Sequence, residues 1–166
     1  MQNVHRFFPV ALILAGFGGV PAAVAHLPIL DDGTNVDADS ALVIKDIGLS
    51  QVVYHEVREP VRPLWLAFDV TAGQELYFNP GVPALERLRD YRPTFALIGP
   101  GLPEASLPFA VPAGLGAEVY PTADIAEPEF FHEPFSGTDS WIFFKKTVTL
   151  PQTGRYYLVG YVPSGL

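Results

Sequence analysis

Seventeen prolines and 15 glycines, scattered along 166 residues, set the first limit on how this chain can fold. A proline inside a helix removes a backbone hydrogen bond and clashes with the preceding turn. Pro and Gly pairs also punctuate turns. Long helices are therefore disfavoured, and short strands joined by tight turns are what remains. The apolar residues agree. Leu64, Leu66, Phe68 and Val70 alternate with Trp65, Ala67 and Asp69, the period of a half-buried strand. Ala72-Gly73 turns the chain, and Glu75 to Asn79 follows, so the two runs are expected to form a hairpin. Further strands are expected at Ala41 to Lys45, Val52 to Val57 and Thr94 to Gly99, with a helical turn or two at most over Ala84 to Arg89.

Residues 26 to 40 are polar and turn-rich and read as a loop before the first strand. Prolines 100, 103, 108, 112, 121, 128 and 134 mark a long irregular stretch, 100 to 140. Its rings, Phe109, Tyr120, Phe130, Phe131 and Phe135, have apolar area to bury and are expected to pin it to the surface. A last pair is expected at Ser140 to Leu150 and Arg155 to Val162, turning at Pro151-Gln152-Thr153-Gly154. The final strand is apolar on both faces, which predicts a central or doubly covered position. A central strand needs two neighbours, so either an earlier strand pairs there or the natural chain continues beyond Leu166. Phe68 to Phe78 and Val148 to Leu158 rhyme: each runs strand, turn with Gly, aromatic strand. Two similar hairpins in one all-β, antiparallel sandwich of the jelly-roll type are the expectation.

The first 25 residues read differently. His5 and Arg6 precede an apolar run, Phe7 to Ala15; glycines and Pro21 follow, and small residues stand at Ala23 and Ala25. That is the layout of a secretory signal peptide over 1–25 with an A-x-A junction before His26. The alternative is an uncleaved membrane anchor, since Phe7 to Ala25 approaches the ~20 residues a helix needs to cross a bilayer. The rest, 26–166, suits one domain. The chain has no cysteine, which excludes disulfides, thiolate metal sites and a lipid-bearing cysteine. Arg6 is the only Lys, Arg, Asp or Glu in the leader, so 9 basic and 18 acidic residues remain beyond it, a net charge of −9. Nucleic acid and anionic membrane surfaces both call for a basic patch and are not expected as partners.

The segments Phe68 to Phe78, Asp90 with Thr94 to Gly101, and Val148 to Tyr161 resemble the bacterial pre-peptidase C-terminal domain and related jelly-roll modules. The shared motifs are structural: a strand into an Ala-Gly turn, an Asp before an alternating strand, and a closing Gly-x-Tyr-Tyr strand. The resemblance implies a secreted, non-catalytic accessory module. The chain departs from it in the Pro-rich stretch and in lacking the strand that usually follows the position of Tyr161.

Candidate chemistry is sparse. Cleavage before His26 would give a free amine and imidazole on one residue, a start on a copper site, with His55 and His132 as further imidazoles. Asp31, Asp32, Asn35, Asp37 and Asp39 offer oxygens at near-alternate positions, as calcium prefers, although Gly33 falls too early for an EF-hand loop. Glu127, Glu129, His132 and Glu133 could serve acid–base chemistry. Trp65, Trp141, Tyr54 and Tyr120 could line a binding face, or pack inside. No glycosylation acceptor, phosphate-binding glycine loop or G-x-S-x-G elbow is present. The expectation is a secreted or periplasmic, non-enzymatic module for an extracytoplasmic protein, glycan or cell surface, with a metal-binding envelope protein as the alternative.

Overall fold

The computed structural model describes residues 27–57, 61–134 and 137–163, with the backbone of 9–14. Twelve strands occupy them: β1 (Pro9–Leu14), β2 (Leu27–Leu30), β3 (Leu42–Val43), β4 (Gln51–Glu56), β5 (Leu64–Val70), β6 (Glu75–Pro83), β7 (Thr94–Gly99), β8 (Gly116–Tyr120), β9 (Glu129–His132), β10 (Asp139–Ile142), β11 (Lys146–Thr149) and β12 (Gly154–Tyr161). A single 3-10 turn, Glu86–Leu88, stands where a helical turn was expected. One sheet runs β2-β4-β1-β6-β10-β9, with β11 also on β6; the other runs β3-β5-β12-β7-β8. The two form an all-β sandwich. Most pairs are antiparallel, and the short pairs β2–β4 and β3–β5 are parallel.

The core lies between the sheets. Leu66, Phe68, Leu97, Tyr156 and Leu158 from the five-stranded sheet meet Val53, Leu76 and Phe78 from the seven-stranded one. Each such side chain, fully buried, contributes roughly 1.5–3 kcal/mol. Alternation along β12 then sends Tyr157 and Val159 to the opposite face, into a second cluster with Trp65, Ala96 and Ile98. The Pro-rich stretch covers that face. Phe109 sits edge-on between Trp65, at 5.2 Å, and Tyr161, at 5.1 Å. So β12 is central, flanked by β5 and β7 and covered on both faces.

The two expected hairpins are not hairpins. The turn after β5 carries the chain out of the five-stranded sheet into β6 of the other; the turn after β11 carries it back into β12. The rhyming segments instead pair with each other. β5 is antiparallel to β12 from Val70↔Gly154 to Leu64↔Gly160, and β6 to β11 from Phe78↔Lys146 to Glu75↔Thr149. Their corners interlock: Gly73 N–H donates to the Leu150 carbonyl at 2.8 Å, and Leu150 N–H to that of Gln74 at 2.9 Å. Gly73 adopts a φ of 83°, a conformation glycine reaches without a Cβ penalty. Local alternation is the same in a hairpin and in such an arch; the partner is chosen by distant register.

Three further expectations need correcting. The lead-in loop contains β2, which lies parallel beside β4. The irregular stretch contains β8 and β9. The strand expected over Ser140 to Leu150 is two pieces, β10 and β11, which lie end to end along one side of β6. Of the leader, only 9–14 is described, as β1; the Ala23–Ala25 junction lies outside the described residues, as does Phe135.

Tyr156 is fully buried, stacked on Phe68 at 6.4 Å, and its hydroxyl donates to the Pro100 carbonyl at 2.6 Å. The ring fits because residue 99 is glycine: a Cβ there would fall inside it. Gly99→Ala is expected to destabilise the fold by about 3 kcal/mol, as overpacking does, in urea unfolding. Tyr156→Leu in the same chain should restore part of that loss.

Candidate functional site

The parallel pairing of β2 with β4 ends at Leu30↔Tyr54, and the Asp31 N–H continues the ladder to the Tyr54 carbonyl at 2.9 Å. This sets Asp31 beside His55. The imidazole Nδ1 lies 2.7 Å from Asp31 Oδ2, and the two side chains are 11% and 1% exposed. Gly33 N–H donates to the same oxygen at 3.0 Å, and the Asn35 amide to Oδ1. The carboxylate is thus surrounded by donors, as a buried acid must be. It fixes the ring through Nδ1.

His55 is also part of a pocket wall. At the end of the sandwich where β4 and β12 finish and β5 and β7 begin, a pocket opens with about 440 Å³ of free space, mouth included. Val57, Val61, Leu64, Phe95, Leu158 and Val162 make it apolar; His55, Arg62, Tyr91 and Tyr161 supply the polar points. Burial pushes the Tyr91 phenol up to about 12 and raises that of Tyr161, so both keep their protons at neutral pH.

The other acidic-loop residues serve local turns. Asp32 accepts from the Thr34 N–H and hydroxyl at 2.9 and 2.6 Å. Asp37 accepts from the Ser40 N–H and hydroxyl at 2.8 and 2.7 Å and from Asp39 N–H at 3.1 Å. Asp39 enters that turn through its backbone. Among the described residues, no three His, Asp or Glu side chains converge to hold a metal ion. His26, the proposed copper ligand, lies outside the described residues. The Glu127–Glu133 run is likewise dispersed: Glu129 pairs with Lys145 and His132 with Asp139, each at 2.7 Å and half exposed. Glu133 is buried, its N–H on the Thr138 carbonyl. Trp65 is buried, and Tyr120 packs edge-on against Phe78 at 5.3 Å. Trp141 is partly buried beneath the Arg89 guanidinium, at 5.7 Å, and Tyr54 packs on Val52. Among the described residues, no helix is long and apolar enough to cross a membrane.

No protein-family profile, curated protein or solved structure matches the chain.

Two outcomes test this geometry. Removing the buried carboxylate in Asp31→Ala leaves the imidazole and two N–H donors without their acceptor, at a cost of about 3 kcal/mol in urea unfolding. The turns held by Asp32 and Asp37 follow a different rule. Hydrogen bonds from Thr34 and from Ser40 hold these carboxyls below the usual 3.8. With folded values depressed, the turns are fully supported above the ordinary Asp value. They lose that support only as pH falls through the lowered values. The Ser40 amide resonance should therefore stay constant from neutral pH to about 4 and move only below that.

Proposed function

We propose that the protein is an exported, non-catalytic binding module working outside the cytoplasm. Its ligand enters the end pocket by an apolar group and sets a polar group against His55. The observation that carries this reading is a largely apolar pocket with a buried Asp31–His55 pair in its wall. Such sites combine apolar area for affinity with a few fixed polar groups for orientation. Export rests on the leader-like residues 1–25, and an accessory role is what the resemblance to the pre-peptidase C-terminal domain implies.

The exposed anion-bearing dye anilinonaphthalene sulfonate is a suitable probe, with its apolar rings and a charge for Arg62. Folded protein is expected to bind it one to one with a saturable rise in fluorescence. Val61 is 43% exposed at the rim. Val61→Trp should fill the pocket and abolish the signal, while changing stability by no more than about 0.5 kcal/mol, as surface substitutions do. Undiminished binding by that variant, or turnover of any substrate that is lost in His55→Gln, would refute the reading.

A further inference from the structure

In the seven-stranded sheet, β4 and β6 do not pair with each other. β1 lies between them, antiparallel to β4 over six residues, Pro9↔Glu56 to Leu14↔Gln51, and to β6 over four, Ala11↔Gly81 to Leu14↔Phe78. Among the described residues it is the only bridge from the β2–β4 pair to the rest of its sheet. Strands lie about 4.8 Å from their neighbours, so β4 and β6 are about twice that apart and cannot bond directly. The bridging hexapeptide, Pro9-Val-Ala-Leu-Ile-Leu14, belongs to the apolar run ahead of the Ala23–Ala25 junction. Cleavage at that junction would take β1 away with the leader. A row of backbone N–H and C=O groups on each of two strands would then lack partners, over a core in which Val53 and Phe78 are completely buried.

We propose that the gap between β4 and β6 is a strand-acceptor site, filled after leader removal by an extended apolar segment of a second exported protein. The inference rests on the reading of 1–25 as a leader. The chemistry of the occupant follows from what the gap holds in the uncleaved chain. It is about six residues long, apolar and antiparallel to both neighbours, with backbone bonds supplying affinity, as in other strand-addition complexes. One position is more specific. Asn79 is 8% exposed, and its Oδ1 is buried without a hydrogen-bond partner among the described residues. Ile13 stands opposite it in register. Side chains directly opposite are close enough to bond, so the natural occupant carries a hydroxyl or amide donor where Ile13 stands.

The test uses the full chain with a protease site inserted between Gly19 and Val20, so that after cutting β1 is held only by its pairing. A labelled peptide with the sequence Phe7–Gly16 is then offered to cut and uncut protein. Covalently attached β1 competes at an effective concentration of order millimolar. Uncut protein should therefore take up the peptide at least ~50-fold more weakly than cut protein. A peptide carrying Leu12→Pro, which lacks a ladder donor, should not bind, and one carrying Ile13→Thr should bind about 5-fold tighter, as one added hydrogen bond allows. Equal binding of the Leu12→Pro peptide would show mere apolar adhesion and overturn the proposal. So would cut protein that sheds 1–19, takes up no peptide and still protects the Val53 and Asn79 amides from exchange. The amino terminus of the exported protein separates the two readings. A terminus upstream of Pro9 overturns both; failed uptake with a terminus at His26 overturns the strand site alone.

Discussion

Two chain crossings hold this sandwich together, and they do so by bonding to each other. The crossing at Gly73 and the one following Leu150 exchange backbone hydrogen bonds, so the corner of one arch is closed by the corner of the other. Each crossing also delivers a strand to each sheet, and those strands pair across: β5 with β12, β6 with β11. A sheet that slipped by one residue would turn its apolar set away from the core, and here a slip in one layer would drag the other with it. Register in both layers is therefore fixed at one place, without sulfur bridges. The position of Tyr156 against Gly99 follows from that register, as do the pocket's floor at Leu158 and its wall at Phe95.

Much of the fold was legible in the residues. Period-two alternation located β5 and β12 closely, a short apolar run closed by Pro100-Gly101 located β7, and the apolar residues on both faces of β12 correctly implied cover on both sides. Pairing was not legible. A Gly turn between two alternating runs fits a hairpin or an arch equally well, because the choice lies with partners far along the chain. The short edge strand β2 has too few residues for any period to show. The prolines of the irregular stretch hid β8 and β9, whose ladders are short enough to sit between them.

The site was less legible than the fold. Asp31 stood out as one oxygen donor among several in an acidic loop, whereas its partner is an imidazole 24 residues away. Nothing local couples the two; only the parallel pairing of β2 and β4 brings them together. The pocket is harder still to read, since its lining comes from the ends of β4, β5, β7 and β12, and an end has no pattern. The carboxylates of Asp32 and Asp37, by contrast, do what their spacing to Thr34 and Ser40 encodes, which is to hold turns.

Tyr161 belongs to two surfaces at once. One side of its ring steadies Phe109, and with it the proline-rich strap over the outer face; the residue is also part of the pocket lining. A guest pressing on that ring pushes against the strap's fastening. Occupancy at the tip of the molecule and the seating of a covering on its flank are thus mechanically joined through a single phenol, with no moving domain between them.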